Sequence, residues 1–267
     1  MKKTIFITGS TDGIGKLAAI KLASDGHEVY IHGRNENKLK AVIEEIKAQS
    51  NNQNIDGFVA DLSSFFEVKK LASDVKNKLK KLDILINNAG VYYGGSLKNE
   101  NGLDLRFVVN YFAPYLLTKE LLELLKKGDA PRLINLSSAA QSPVSIPALQ
   151  GTQDISENAS YAQSKLALTQ WSFNMAEEEK GITVIAVNPG SLLNTNMVKE
   201  AYGKFWSSAD KGGNILYELA VDDTYKNKSG IYFDNDQEQI GRAHADAYNS
   251  SKNHNLIQET ESILSNL

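Results

Sequence analysis

The chain has 267 residues, of which 42% are hydrophobic, so it is long enough to bury one sizeable core. Its formal net charge of −3 gives no attraction toward nucleic acid or anionic membranes, and neither is expected as a partner. There is no cysteine, which excludes a disulfide framework and a thiolate site. The sequence shows no secretory signal and no apolar run of roughly 20 residues, which predicts a soluble, cytoplasmic protein.

Short β-branched runs alternate with longer segments of helical spacing from one end of the chain to the other. The runs predict seven strands, at residues 4–8, 28–32, 55–60, 84–87, 132–136, 183–187 and 230–233. The segments between and after them predict helices that include residues 35–49, 101–126, 158–180, 210–220 and 256–267.

The fold class follows from the pattern within these runs. Ile84, Leu85 and Ile86 form a run without polar positions, which is typical of a strand covered by helices on both faces. No linker or repeat divides the chain. We therefore predict a single α/β domain over residues 1–267, a doubly wound, seven-stranded parallel sheet with helices on both faces (Rossmann fold).

A glycine-rich turn follows the first predicted strand, with the sequence Thr8-Gly9-Ser10-Thr11-Asp12-Gly13-Ile14-Gly15, and a helix is predicted from about residue 15 to residue 24. Glycines at this junction allow backbone N–H groups to approach a pyrophosphate, and the helix N-terminus adds partial positive charge. The alternative is a tight turn without a ligand. The position of this glycine-rich turn at the first strand–helix junction favours nucleotide binding.

Tyr161 and Lys165 are four residues apart in a predicted helix, so their side chains share one helix face. An ammonium beside a phenol favours the phenolate, which is expected to lower the pKa of Tyr161 from its ordinary value of about 10. A phenol with a lowered pKa is suited to general acid–base catalysis. Taken alone, however, the pair is more typical of an exposed surface on an amphipathic helix.

The sequence resembles the classical, single-domain short-chain dehydrogenases/reductases over essentially its whole length. The motifs that carry the resemblance occur in the family's order: Thr8–Gly15, Asp61-Leu62, Asn87-Asn88-Ala89-Gly90, Asn110, Ser138, Tyr161-Ala162-Gln163-Ser164-Lys165 and Asn188-Pro189-Gly190. The long interval between Ser138 and Tyr161 is similar to that of the retinol-dehydrogenase-like branch. Many members of that branch carry an N-terminal membrane anchor, which this sequence does not show, so a membrane-bound retinoid role is not expected.

The resemblance implies an oxidoreductase that moves a hydride between NADP(H) and an apolar carbonyl or alcohol substrate. Tyr161 would be the general acid or base, Lys165 would also contact the nicotinamide ribose, and Ser138 would orient and polarise the substrate oxygen. Ser137 is the alternative to Ser138. Two other functions stay open: reduction of a C=C bond on the same fold, and a cofactor-binding regulatory protein without turnover.

Asn110 is the fourth candidate catalytic residue, and Pro114 lies four residues after it. Proline has no N–H to donate to the carbonyl of the residue four positions earlier, so the Asn110 carbonyl is expected to lack its helical partner. A buried carbonyl of this kind needs a donor, and water is the natural one. The resemblance implies that this water belongs to a proton relay; the alternative is a simple proline kink.

The end of the second predicted strand bears on the choice of cofactor. A ribose 2′-hydroxyl calls for an acidic residue here and a 2′-phosphate for a positive one, and the sequence has Arg34. This predicts NADP(H) in preference to NAD(H), with NAD(H) still possible. Asp12 is a departure, because NADP-preferring relatives often carry a basic residue at its position.

The resemblance implies a set of cofactor contacts around these residues. Asn194 occupies the place where the family usually has a threonine that binds the carboxamide, so we expect the following residue, Thr195, to take that role. The full predicted set is Gly9, Thr11, Gly13, Ile14, Gly15, Arg34, Asp61, Leu62, Asn87, Ala89, Gly90, Tyr161, Lys165, Pro189, Gly190 and Thr195.

Two segments are predicted to meet the substrate. The loop 141–158 carries Val144, Ile146, Pro147 and Leu149, and an apolar loop at this edge of the sheet suggests an apolar substrate. The segment 192–206 is predicted to be a lid, in which Met197, Tyr202, Phe205 and Trp206 either cover the substrate or pack as an ordinary helix.

The four histidines, His27, His32, His244 and His254, are scattered without the spacing of metal ligands, so we predict no metal site and expect each histidine at the surface. Members of the family are commonly dimers or tetramers. The predicted helix faces do not decide the oligomeric state, so a homo-oligomer is compatible with the sequence.

Overall fold

The structure is a computed structural model that describes residues 1–92 and 97–266, without the side chains of Ala201 and Tyr202. Within the described residues the strands are β1 (Thr4–Ile7), β2 (Glu28–Gly33), β3 (Ile55–Val59), β4 (Ile84–Asn87), β5 (Arg132–Leu136), β6 (Thr183–Asn188), β7 (Ile231–Asp234) and β8 (Gln239–Gly241). The α-helices are α1 (Gly13–Ser24), α2 (Glu36–Ser50), α3 (Phe65–Lys78), α4 (Leu105–Phe107), α5 (Ala113–Lys126), α6 (Ile146–Leu149), α7 (Glu157–Glu178), α8 (Asn196–Tyr202), α9 (Ala209–Val221) and α10 (Ser250–Ser265).

All eight strands belong to one sheet in the order β3-β2-β1-β4-β5-β6-β7-β8. The first seven pair in parallel, which confirms the predicted doubly wound α/β fold. β8 was not predicted. A short turn connects it to β7, with which it pairs in antiparallel orientation. The strand order reverses between β1 and β4, and ligands of such sheets bind at this point, beyond the carboxyl ends of the strands.

The strands are buried on both faces because their alternate side chains enter two separate cores. Ile5 and Ile7 of β1 pack on the side of α1, α2 and α9, whereas Phe6 packs on the side of α3, α5, α7 and α10. This explains why the strands read as continuous apolar runs. The closing helix is longer than predicted, and Tyr111 and Thr260 share a buried hydrogen bond of 2.7 Å that anchors it.

The helix predicted at residues 101–126 is interrupted. Residues 101–104 precede the helical region, because Gly102 has a left-handed φ of 77° and Asp104 caps α4. A π-helical turn, Val108–Phe112, then separates α4 from α5, and Ala113 N–H donates to the carbonyl of Val108. Such turns are frequent at functional sites, and this one contains Asn110.

The loop 141–158 folds inward. Its centre forms α6, in which Ala148 and Leu149 are fully buried in the core beside α5 and α7. Val144 and Ile146 are partly buried against the same core. The apolar character of this loop is therefore explained by packing.

Candidate active site

A cleft of about 450 Å³ opens along the carboxyl edge of the sheet. It is lined by the segments that follow β1, β2, β3, β4, β5 and β6, together with residues of α7 and α8. Parallel strands bring these segments to one edge, so residues far apart in the sequence meet there. Most of the predicted site residues line this cleft, and Asn87 and Asn110 are the two that do not.

The glycine turn after β1 approaches its neighbours too closely for side chains. Gly9 has a φ of 61°, and a Cβ at this position would lie 2.7 Å from the Cα of Ala89. Gly13 is also left-handed, with a φ of 53°, and it begins α1 one residue after the capping Asp12. The N-terminus of α1 therefore faces the cleft with backbone N–H groups and its partial positive charge, a donor set that fits a pyrophosphate.

His32 supports this turn from β2. Its Nδ1 accepts a hydrogen bond of 3.0 Å from Gly9 N–H, so its Nε2 donates to the carbonyl of Ala60 at 3.0 Å. Burial lowers the pKa of His32 to about 4, which keeps the ring neutral in this arrangement. The prediction that every histidine lies at the surface is wrong for His32 and also for His27, which are both buried.

The two adjacent asparagines at the end of β4 have different roles: Asn87 is the last residue of the strand, and Asn88 follows it. Asn87 is buried and donates to Thr118 and Asn135, so its side chain turns away from the cleft it was predicted to line. Asn88 lines the cleft instead, and its Nδ2 donates to the carbonyls of Thr8 and Gly9, both at 2.8 Å. The side chains of adjacent residues in an extended segment point to opposite sides, which explains why Asn88 faces the cleft and Asn87 does not.

The far end of the cleft lies beyond β2 and β3. Arg34, Asp61 and Leu62 line it as predicted, and so does Lys38, which the sequence analysis missed. Lys38 lies in the first turn of α2, four residues after Arg34, and its Nζ is 2.8 Å from Oδ2 of Asp12. Arg34 lies before α2 begins, so helical spacing does not relate the two residues, and no sequence signal pointed to Lys38.

The chemical end of the cleft brings together Ser138, Tyr161 and Lys165. The Nζ of Lys165 lies 5.6 Å from the centre of the Tyr161 ring. The carbonyl of Ser138 accepts hydrogen bonds from Tyr232 at 3.0 Å and from Gln141 at 2.9 Å, which hold this serine at the end of β5.

Ser137 is placed differently from Ser138. It is buried, and its hydroxyl donates to the carbonyl of Lys165 at 3.1 Å and lies 2.7 Å from the Thr169 hydroxyl. The Ser138 side chain is only half-buried, and its Oγ accepts a hydrogen bond from Ala140 N–H. The packing of Ser137 against α7 leaves Ser138 as the serine better placed to reach a substrate.

Lys165 is almost completely enclosed, and its Nζ donates to the carbonyl of Leu136 at 2.7 Å. Burial removes water from the ammonium and lowers the pKa of Lys165 to about 7. The ammonium that the sequence analysis placed beside Tyr161 is therefore expected to lose its proton near neutral pH.

Asn110 lies behind the cleft rather than in its wall. Its side chain is buried, accepts from Val91 N–H at 2.8 Å and donates to the Val91 carbonyl and to Ser164 Oγ, both at 3.0 Å. A Cβ on Gly90 would lie 3.3 Å from Asn110 Oδ1 and 3.5 Å from Lys165 Nζ. Asn110 thus joins the segment after β4 to α7 beside Lys165.

The segment after β6 is held by the turn between β7 and β8. Asp236 accepts from Ser191 N–H at 2.8 Å, from Ser191 Oγ at 2.6 Å and from Asn188 Nδ2 at 2.9 Å. These hydrogen bonds place Pro189 and Gly190 in the cleft wall. Asp236 was not predicted, because its partners lie more than 40 residues earlier in the sequence.

Thr195 lines the cleft and caps α8, whereas Asn194 is outside the lining. Leu192 adopts a left-handed φ of 48°, and this turn precedes the approach of Thr195 to Gly13. Thr195 thus lies in the cleft wall, and its contact with a carboxamide stays a prediction.

The segment 192–206 covers the cleft with only part of its apolar surface. Met197 lines the cleft, but the side chains of Phe205 and Trp206 are 48% and 72% exposed and do not contribute to the lining. The side chain of Tyr202 lies outside the described part of the chain. The apolar wall includes Leu193, Met197 and Val198 of this segment, together with Val91, Leu105 and Val109 from earlier in the chain. Among the described residues, none of the loop 141–158 lines the cleft.

The site combines a glycine turn at the start of α1 with a buried lysine and a tyrosine, all at one edge of a doubly wound sheet. This combination is typical of an oxidoreductase that uses a dinucleotide cofactor. The sequence model of the short chain dehydrogenase family matches residues 3–204. The chain belongs to this family of oxidoreductases.

Two human relatives are similar in sequence. Polyprenol dehydrogenase is 34% identical over 216 residues, which are 77% of this chain and 64% of the relative. Retinol dehydrogenase 13 is 31% identical over 252 residues, which are 87% of this chain and 76% of the relative. This similarity agrees with the predicted retinol-dehydrogenase-like branch.

A solved structure shows the same fold with a cofactor. A short-chain dehydrogenase from Shigella flexneri, complexed with NADP, is 29% identical and superposes with a TM-score of 0.70. The match covers 88% of this chain and 98% of that one. None of the helices in the described part of the chain has the length and apolar character that a membrane crossing requires.

We expect Asp236→Ala to weaken binding of NADP+ by about 3- to 10-fold, the equivalent of one net hydrogen bond, because the segment after β6 loses its support. Binding of 2′,5′-ADP, which lacks the nicotinamide half, should not change. Isothermal titration calorimetry measures both. Glu238→Ala in the same turn is the control, and equal losses for both ligands would contradict the assigned role of Asp236.

The buried ammonium of Lys165 is expected to oppose folding at low pH. Its folded pKa of about 7 lies below the unfolded value of about 10.4, so the unfolded chain binds more protons between these values. Lys165→Met should therefore increase the free energy of unfolding by a few kcal/mol at about pH 6, at roughly 1.4 kcal/mol per pKa unit, and by less at about pH 9.

Urea unfolding at the two pH values measures this difference. Lys40→Met is the control, because Lys40 is exposed on α2. A stabilisation by Lys165→Met that is the same at both pH values would show that burial of the charge is not its cause.

Proposed function

We propose that the protein is an NADP(H)-dependent oxidoreductase that interconverts an apolar alcohol and its carbonyl compound, with Tyr161 as general acid and base. The observation that carries the proposal is the meeting of Ser138, Tyr161 and Lys165 in one cleft with the glycine turn of α1, in a chain of the short-chain dehydrogenase family.

Each residue of the chemical end has a defined task in this proposal. A bound nicotinamide supplies the hydride in reduction and accepts it in oxidation. Tyr161 gives its phenolic proton to the substrate oxygen in reduction and takes the hydroxyl proton in oxidation. Ser138 donates a hydrogen bond to the same oxygen, and the two donors to its carbonyl hold it in place.

Lys165 and Asn110 act behind Tyr161. When Lys165 is protonated, its ammonium stabilises the phenolate of Tyr161, and it would donate to the ribose of a bound nicotinamide cofactor. Asn110 positions α7 through Ser164, and its carbonyl, which Pro114 cannot pair, accepts from a relay water. The relay then restores the proton of Tyr161 after reduction.

The proposed preference for NADP(H) rests on Arg34 at the far end of the cleft. A guanidinium suits a phosphate because it donates two parallel hydrogen bonds. The related structure from Shigella flexneri is complexed with NADP, which agrees with this assignment.

The proposed substrate is an extended apolar alcohol or the corresponding carbonyl compound. The wall of the cleft includes Val91, Leu105, Val109 and Met197, which offer an apolar surface but few hydrogen-bond partners. The two human relatives are named for retinol and polyprenol, and both are alcohols with long hydrocarbon parts.

We expect Tyr161→Phe to lower kcat by roughly 100- to 10,000-fold, the usual contribution of a general acid or base, with NADPH still bound. NADPH oxidation against a panel of apolar ketones, aldehydes and enones measures this. Tyr217→Phe on α9 is the matched control, because it removes a phenol hydroxyl that pairs with Asp25, remote from the cleft.

Three results would contradict the proposal. NADPH binding without turnover on any member of the panel would favour a regulatory protein. Turnover confined to the C=C bond of the enones would favour the alkene-reductase alternative. Turnover that survives Tyr161→Phe would exclude Tyr161 as the acid.

We expect Arg34→Gln to weaken the binding of NADP+ by about 10- to 100-fold, which is the range for hydrogen bonds to a charged group. The affinity for NAD+ should change by less than about 2-fold. Binding titrations with both cofactors measure the ratio. Wild-type protein that binds NAD+ at least as tightly as NADP+ would overturn the proposed preference.

A further inference from the structure

The ring of Tyr161 has an aromatic neighbour that the proposed reaction does not use. Tyr92, in the segment after β4, lies with its ring centre 4.9 Å from that of Tyr161, and the two ring planes are inclined at 56°. Aromatic rings attract each other at such distances when they are not stacked face to face. Tyr92 is buried and, unlike Val91 before it, does not line the cleft. It therefore contacts Tyr161 without being part of the cleft wall.

The hydroxyl of Tyr92 connects this ring to the helix that carries Tyr161. It donates a hydrogen bond to Oδ1 of Asn158, in the first turn of α7. Asn158 lies three residues before Tyr161, so the two side chains are neighbours on the surface of the helix. The ring and the hydroxyl of Tyr92 therefore contact α7 at two points about one turn apart.

Arg106 holds the backbone of Tyr92. Its Nε donates to the carbonyl of Tyr92 at 3.0 Å. The same guanidinium donates to Asp104 at 3.0 Å, and its second terminal nitrogen lies 2.8 Å from Oε1 of Glu157, the first residue of α7. Arg106 is buried, so water competes little for these contacts. One planar group thus fixes both the backbone of Tyr92 and the start of α7.

The orientation of the Tyr161 ring decides whether it can transfer a proton. A general acid must lie within hydrogen-bond reach of the oxygen that it protonates. The ring of a tyrosine turns about its side-chain torsions, and each other rotamer would carry the hydroxyl of Tyr161 away from a bound substrate. A neighbouring ring that is itself anchored at both ends opposes such rotation.

We infer that Tyr92 is a positioning residue, which holds the phenol of Tyr161 in the orientation that proton transfer requires. Tyr92 acts through its ring contact, and Asn158 and Arg106 act by holding Tyr92 in place. None of these three residues exchanges a proton with the substrate. The inference rests on the proposed function, in which Tyr161 is the general acid and base.

The test measures kcat and KM for NADPH-dependent reduction of the best substrate in the panel, with the dissociation constant of NADPH and the Tm of each variant. We expect Tyr92→Leu to lower kcat by about 10- to 100-fold, because a reacting group displaced by about 1 Å can cost about 100-fold in rate. KM and NADPH binding should stay within about 2-fold of wild type, since Tyr92 does not line the cleft.

Two milder variants separate the ring of Tyr92 from its hydroxyl. Tyr92→Phe keeps the ring, so it should restore much of the lost kcat and remain about 3- to 10-fold below wild type, the equivalent of one hydrogen bond. Asn158→Ala removes the acceptor of the same hydrogen bond and should cause the same loss. The double variant should lose no more than either single variant, because both substitutions break one interaction.

The matched control is Tyr115→Leu. Tyr115 is also a buried tyrosine, its ring centre lies 5.3 Å from that of Trp171 on α7, and its hydroxyl donates to Glu261. It is outside the cleft lining. The substitution therefore removes the same kind of contact from the same helix. We expect it to lower Tm about as much as Tyr92→Leu and to leave kcat within about 2-fold.

The outcomes separate this inference from the proposed function. Turnover that survives Tyr161→Phe would overturn the proposed function and the inference with it. If Tyr161→Phe abolishes turnover but Tyr92→Leu lowers kcat no more than Tyr115→Leu, Tyr92 does not position Tyr161. A higher KM with unchanged kcat in Tyr92→Leu would make Tyr92 a substrate contact instead. If Tyr92→Leu does not fold, wild-type kcat in both Tyr92→Phe and Asn158→Ala would overturn the inference.

Discussion

Parallel pairing of β1 to β7 is the constraint on which the rest of the structure depends, because it brings the carboxyl ends of these strands to one edge. The reversal of strand order between β1 and β4 then opens a crevice at that edge. Asn88 spans the reversal and ties the glycine turn to the segment after β4. The far end of the cleft and its chemical end lie on opposite sides of this point, so one extended ligand can reach both.

The features that the sequence predicted correctly are those set by local patterns. β4 and β5 have the predicted bounds because apolar, β-branched runs form buried strands wherever helices cover both faces. The ordered motifs identified the family, and they predicted correctly that Tyr161 and Lys165 share one cleft with the glycine turn. β8 has three residues, too few for a pattern, and the π-helical turn interrupts a segment whose apolar spacing is helical throughout.

The features that the sequence did not predict depend on contacts between distant segments. Lys38 and Asp236 look like ordinary surface residues until the fold places them beside Asp12 and Ser191. Leu149 suggested a substrate surface, but the loop around it turns into the core, and composition alone does not distinguish an apolar wall from an apolar core. In each case the direction of a side chain, rather than its type, decides the role.

The family match ends at residue 204, yet the turn after β7 lies beyond that limit and supports the cleft from outside. Tyr232 holds the carbonyl of Ser138, and Asp236 holds the segment that contains Pro189. The C-terminal part of the chain therefore extends the sheet and also holds the residues of the cleft in position. A chimaera that joins the cleft of this chain to a C-terminal segment without equivalents of Tyr232 and Asp236 would keep every motif and still lose this support. Recombination at residue 204 would therefore separate the motifs from the residues that hold them.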